Sequence, residues 1–151
     1  VFDAYSAIVQ LIERLHRHFL DVLRAELRRV GREDINAVQA LLLYNIGRDD
    51  VVIRDLRDRG YYHGSNVSYN IKKLGELGYL IQERSAHDRR ATRLRLTENG
   101  HTVCAVVGDL QQALVSGLQR HKVSDQDLRE ASATLEYLER TWTDYIRYGR
   151  E

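Results

Sequence analysis

The chain has 151 residues, 43% of them hydrophobic and 30% charged, a balance that can bury a core and excludes a disordered chain. Its apolar runs are short, as at Ala40-Leu41-Leu42-Leu43, which excludes a membrane-spanning helix. The net charge of +1 hides an asymmetry: residues 1–50 carry 7 basic and 8 acidic groups, residues 51–100 carry 10 and 6, and residues 101–151 carry 6 and 8, so a basic middle lies between acidic flanks and the small total does not exclude a polyanionic partner.

The absence of proline permits long helices. The first is predicted over residues 2–30, where Ile8, Leu11, Ile12, Leu15, Phe19, Val22 and Leu23 recur at helical steps and share a face. Gly31 is its natural stop. Asn36, three residues before Gln39, has capping-box spacing and starts a second helix that carries Val38, Leu41 and Leu42 inward and ends at Gly47. A short helix is expected over residues 53–59, closed by Gly60, and another over 65–77, stopped by Gly78. In the latter Val67, Ile71 and Leu74 point inward, and Asn66, Ser68, Tyr69, Asn70 and Lys73 point away from the core.

The period then changes to two. Leu94 and Leu96 alternate with Arg93 and Arg95, the pattern of a half-buried strand, and residues 79–84 supply its partner. Residues 85–92 form the polar hairpin tip, and Thr97 caps the next helix. Helices are expected over 98–121 and 125–148, the last capped by Ser124. Within it Leu128, Leu135 and Trp142 lie seven apart, and Ala131, Leu138 and Tyr145 repeat that spacing three residues on, which makes an a/d seam.

The central order of helix, helix and two-stranded hairpin is the layout of a winged helix-turn-helix. A helix about 10–12 Å across fits a major groove about 12 Å wide, and only its outer side chains reach base edges. Residues 65–73 offer Ser65, Asn66, Ser68, Tyr69 and Asn70 there, with Lys72 and Lys73 suited to phosphates. The hairpin adds Arg84, His87, Arg89 and Arg90, with Arg93 and Arg95 behind, and arginine is favoured in a narrow minor groove. Asp88 is assigned a wing-stabilising role, holding a neighbouring arginine by a bidentate pair.

The run Asp88-Arg89-Arg90-Ala91-Thr92-Arg93-Leu94-Arg95-Leu96-Thr97-Glu98-Asn99-Gly100 resembles the wing signature of the MarR family of winged helix-turn-helix transcriptional regulators, a D-x-R stretch running into L-T-x-x-G. Asn36-Ala37-Val38-Gln39 is similar to that family's second helix start, and residues 65–74 occupy its recognition-helix position. The resemblance implies a mainly α subunit over residues 1–151, with a DNA-binding winged helix at 35–99 and dimerisation helices at 1–34 and 100–151. It also implies a homodimer, a palindromic DNA site and a small-molecule effector pocket. Two features depart from the family: residues 60–64 make a turn about one residue longer, and Tyr69 stands where an arginine is common.

The dimer has a physical basis of its own. Two terminal helices with apolar stripes, in so small a chain, leave surface to be covered, and the seam residues Leu128, Ala131, Leu135, Leu138, Trp142 and Tyr145 are the expected interface. The effector-pocket candidates are His16, Phe19, Leu20, Leu23 and Tyr44, each of which serves equally as core. Cys104, the single cysteine, sits among Val103, Ala105, Val106 and Val107 and reads as an inert buried thiol. It leaves no partner for an internal disulfide and no cysteine cluster for zinc. His16 and His18 diverge on their helix, and no metal, cofactor or catalytic motif occurs, so neither an enzyme nor a cofactor is expected. Asp125 and Asp127 read as capping groups. With no signal-peptide pattern at the start, the expected location is a reducing cytoplasm without membrane attachment. The competing reading is a helical protein-interaction module whose seam recruits a partner without any DNA role.

Overall fold

Helix α1 spans Phe2–Arg29, in a computed structural model that describes residues 1–48, 64–84 and 92–150. It stops at the glycine that the sequence marks as its end. Gly31 takes φ +77°, the Gly31 amide donates to the Arg28 carbonyl at 3.2 Å, and the Arg32 amide donates to the Leu27 carbonyl at 2.9 Å. That pair of bonds satisfies two terminal carbonyls and needs a left-handed residue between them. On α1 only Leu23 and Leu27 are buried, whereas Leu11 and Leu15, from the same expected stripe, stand exposed.

Helix α2 spans Ala37–Arg48. Its capping box is complete: the Gln39 amide donates to Asn36 Oδ1 at 2.8 Å, and the Asn36 amide donates to Gln39 Oε1 at 3.1 Å. Gly47 does not end the helix, as its type suggested, but lies within it. A Cβ there would stand 2.7 Å from Cys104 Sγ and 2.9 Å from Leu96 Cδ1, so the glycine serves close packing. The helix expected at 53–59 lies outside the described residues, as do Gly60, Tyr61, Tyr62 and His63.

Helix α3 spans Gly64–Glu76 and ends by the same device as α1. Gly78 has φ +84°, its amide bonds the Gly75 carbonyl, and the Tyr79 amide bonds the Leu74 carbonyl at 2.9 Å. Strands β1, Leu80–Arg84, and β2, Thr92–Leu96, pair antiparallel with Leu80 opposite Leu96 and Gln82 opposite Leu94. The predicted alternation holds on β2: Leu94 and Leu96 are buried, and Arg93 and Arg95 face water.

The junction after β2 accounts physically for the Leu-Thr-x-x-Gly pattern. Leu96 enters the core. Thr97 Oγ1 accepts the Gly100 amide at 3.2 Å and donates to the Gly78 carbonyl at 2.6 Å, capping helix α4, Glu98–Arg120. Gly100 lies so close to β1 that a Cβ would fall 2.2 Å from the Tyr79 carbonyl oxygen.

The chain divides into two compact units, Val1–Leu110 and Gln111–Glu151. The first holds the core, built from Leu23 and Leu27 of α1, Leu42, Leu43 and Ile46 of α2, Val67, Ile71 and Leu74 of α3, Leu80, Leu94 and Leu96 of the strands, and Val103 and Val107 of α4. The second comprises the distal part of α4 and helix α5, Asp125–Tyr148. Ser124 caps α5 as expected: its Oγ accepts the Asp127 amide at 3.0 Å, while the Ser124 amide donates to Asp127 Oδ2 at 2.9 Å. Those bonds hold the Asp127 carboxyl below its ordinary pKa. Asp125 pairs with Arg129 one turn on, at 2.6 Å. No residue of α5 is buried.

Candidate nucleic-acid interface

Burial of Val67, Ile71 and Leu74 turns the opposite side of α3 outward. Asn66, Ser68, Lys72 and Lys73 are exposed on it, and Tyr69 retains 64% of its accessible surface. Ser65 belongs to the helix, but its side chain is outside the description.

Asn70 corrects the expectation for this face. It is only 8% exposed, and its Oδ1 accepts a hydrogen bond of 3.2 Å from Nε2 of Gln39, itself 5% exposed. Position 70 follows Val67 by three and precedes Leu74 by four, which puts it on the core stripe rather than the outer one. A buried amide there needs a partner, and α2 supplies it. Gln39 therefore serves twice, capping α2 through Oε1 and tying α3 through Nε2.

A second polar tie was not evident from sequence. The Tyr79 hydroxyl donates to Asp34 at 2.8 Å and accepts from Arg32 at 3.4 Å, and the Arg32 guanidinium stands 5.9 Å from the ring centroid. Burial, the largest cause, raises the Tyr79 pKa, so the phenol keeps its proton. The cluster joins the α1–α2 connection to the end of α3. No local pattern announces a pair 45 residues apart.

In the hairpin Arg84, Arg93 and Arg95 are exposed. Arg95 pairs with Glu83 on the neighbouring strand at 3.1 Å, both groups facing water. His87, Asp88, Arg89 and Arg90 lie outside the described residues. The described part of the site thus combines a polar helix face with a base of exposed arginines, suited to a polyanion with readable edges.

The effector-pocket candidates do not share one environment. His16 is exposed, and Phe19, Leu20 and Tyr44 are half-buried against the core. Leu23 is buried at 1% exposure within the core cluster. A cleft of about 280 Å³ lies elsewhere, bordered by Arg24, Leu27, Arg28, Arg32, Ile35 and Asn36 among others. Cys104 donates to the Leu43 carbonyl at 3.1 Å, and burial pushes its thiol up to about 11, the reverse of a reactive setting. Among the described residues no three metal-ligating side chains converge. On α5 Leu128, Ala131, Leu135, Trp142 and Tyr145 are exposed and Leu138 is half-buried. A surface groove of about 370 Å³ runs along Leu128, Ala131, Ser132 and Leu135.

Residues 35–100 match the family described as a winged helix DNA-binding domain. The chain is 37% identical over 145 residues to the exopolysaccharide II synthesis transcriptional activator ExpG of Rhizobium meliloti (strain 1021), an alignment covering 96% of this chain and 75% of that protein. Its fold matches a MarR transcriptional regulator from Methanosarcina mazei Go1, with a TM-score of 0.67, 23% identity and coverage of 92% and 98% of the two chains. The chain belongs to the MarR family of transcriptional regulators. The MarR fold is also seen in FabT of Streptococcus pneumoniae, whose structure was determined in complex with DNA, at a TM-score of 0.73, 21% identity and coverage of 93% and 98%. MarR-family membership makes the protein a DNA-binding transcriptional regulator and favours that reading over a helical interaction module. The MarR family is one of regulators rather than enzymes.

Proposed function

We propose that this regulator acts as a homodimer on a palindromic operator, with α3 in the major groove and the hairpin in the flanking minor groove. The observation that carries the reading is the outward face of α3, where Asn66, Tyr69, Lys72 and Lys73 are presented to water while the opposite stripe is locked into the core. Asn66, Ser68 and Tyr69 contact base edges, with Ser65 at the helix start, and Lys72 and Lys73 neutralise phosphates. Arg84, His87, Arg89 and Arg90 serve the wing, with Asp88 orienting an arginine. Asn70 is withdrawn from this set, since its burial assigns it to Gln39.

The seam Leu128, Ala131, Leu135, Leu138, Trp142 and Tyr145 joins two copies. Its support is an apolar helix face without a single buried residue. A twofold pair sets two reading helices about 34 Å apart, one turn of duplex. A small ligand tunes affinity only if it binds the two spacings of the reading heads unequally. Phe19, Leu20, Leu23 and Tyr44 are its candidate contacts, together with the exposed His16. Among the described residues no helix is long and apolar enough to cross a membrane. The cytoplasm is the proposed location, and no cofactor is required. Recovery of bound genomic fragments by the purified chain tests the reading. One recurrent palindromic sequence is expected, and recovery without any common sequence contradicts it.

A further inference from the structure

We propose that α3 reads adenine–thymine pairs and not guanine, with Asn66 on an adenine and the Tyr69 ring against a thymine methyl. The inference rests on the DNA-reading role of α3 and names its sequence class.

Three observations carry it. First, α3, Gly64–Glu76, contains no arginine, so the commonest guanine contact, a guanidinium on O6 and N7, has no donor on this helix. Its two cations, Lys72 and Lys73, lie about 10 Å further along the axis than Asn66, at about 1.5 Å per residue. Recognition helices reach base edges with their N-terminal residues, so these lysines meet the phosphate wall. Second, the helix has two asparagines, and the structure takes one away: Asn70 is buried and its carbonyl oxygen is occupied by Gln39. Asn66 alone can present an amide outward, and a side-chain amide matches N6 and N7 of adenine. Third, Tyr69 holds a large ring in water on an otherwise polar face. Such a ring gains by covering an apolar group, and the thymine methyl is the apolar group of the major groove.

Asn66 and Tyr69 are three residues apart, hence neighbours about 5–6 Å apart on the helix surface. Base pairs stack at about 3.4 Å. The two side chains therefore address adjacent or next-but-one pairs, and each half-site carries a short A·T step at its centre of contact.

The test selects duplexes from a random library with the full chain, then rebuilds the enriched half-site with single-atom changes. Each adenine in turn becomes 7-deazaadenine, which loses N7 and keeps its base pair. Each thymine in turn becomes deoxyuridine, which loses the methyl. One deaza position is expected to weaken binding by about 5- to 150-fold and to have little effect on Asn66→Ala. One deoxyuridine position is expected to weaken binding about 4-fold, the worth of one methyl, and to have little effect on Tyr69→Ala. Both side chains stand in water, so neither variant disturbs the core. Analogue sensitivity that persists undiminished in Asn66→Ala and Tyr69→Ala, or tolerance of every analogue by the unaltered chain, overturns the proposal. Failure to enrich any sequence overturns the regulator reading itself, which separates the two outcomes.

Discussion

Gln39 Nε2 donates to Asn70 Oδ1 across 3.2 Å, between two side chains that are 5% and 8% exposed. This bond joins α2 to the middle of α3 and fixes the rotation of α3 about its axis. A helix turned by one residue, about 100°, would in one sense bring Asn70 to the outward place of Tyr69, and in the other carry Tyr69 into the buried place of Asn70. Together with the burial of Val67, Ile71 and Leu74, the tie holds the rotation that leaves Asn66 and Tyr69 outward.

Asn70→Ala is expected to leave the Gln39 amide buried without an acceptor, at a cost of about 1–3 kcal/mol. In a chain of this length that lowers Tm by about 2–12 °C. Replacing both partners with leucine is expected to recover part of the loss, since two apolar groups leave nothing unsatisfied. Thermal unfolding checks both. An unchanged Tm with an altered base preference would make Asn70 a reader of DNA.

Glycine substitutions should separate by what the new Cβ meets. Gly100→Ala pushes a methyl to 2.2 Å from the Tyr79 carbonyl, a backbone atom that cannot rotate away, and should destabilise by about 3 kcal/mol. Gly117→Ala meets only the end of the Arg120 side chain, at 3.5 Å, and should stabilise α4 by up to about 1 kcal/mol. Denaturant titration of the two variants gives the ranking. Equal effects would refute the close approach at Gly100.

Cys104 should be slow to alkylate at neutral pH and speed up as pH approaches 11, because only the thiolate reacts. The folded thiol has the higher pKa, so below about 9 both states are protonated and its contribution to stability is fully present. Between 9 and 11 the unfolded chain releases its proton first, and stability falls as pH rises. Rapid modification at pH 7 in the folded protein would contradict this.

In the wing, Arg90→Ala should weaken operator binding and make the log–log salt dependence shallower by about 0.9 for each phosphate that Arg90 neutralises. Lys72→Ala should do the same without changing which base pairs are preferred. An unchanged slope for Arg90→Ala would remove the wing from the interface.

The elements legible in sequence are those whose determinants are local. Capping at Asn36, Thr97 and Ser124, the stops at Gly31 and Gly78, and the alternation at Leu94 and Leu96 each follow from a few neighbouring residues. Gly47 and Asn70 escape a local reading because their roles are set by partners distant in the chain, Cys104 and Leu96 for one and Gln39 for the other. Asparagine between inward-facing residues looks like an exposed polar group until its acceptor bond is seen. The bond between Tyr79 and Asp34 has the same origin. The L-T-x-x-G pattern is visible as a motif, but its cause, the pressing of Gly100 onto the Tyr79 carbonyl, again lies with a partner distant in the chain.

The most direct test of the account is sedimentation of the purified chain with its selected operator, together with affinity over a salt series. Two chains per duplex are predicted, each of 17.6 kDa. With three or four phosphates neutralised per chain, the log–log salt slope should be about −5 to −7. A monomer at micromolar concentration, or binding that ignores both sequence and salt, would contradict a twofold reader of DNA.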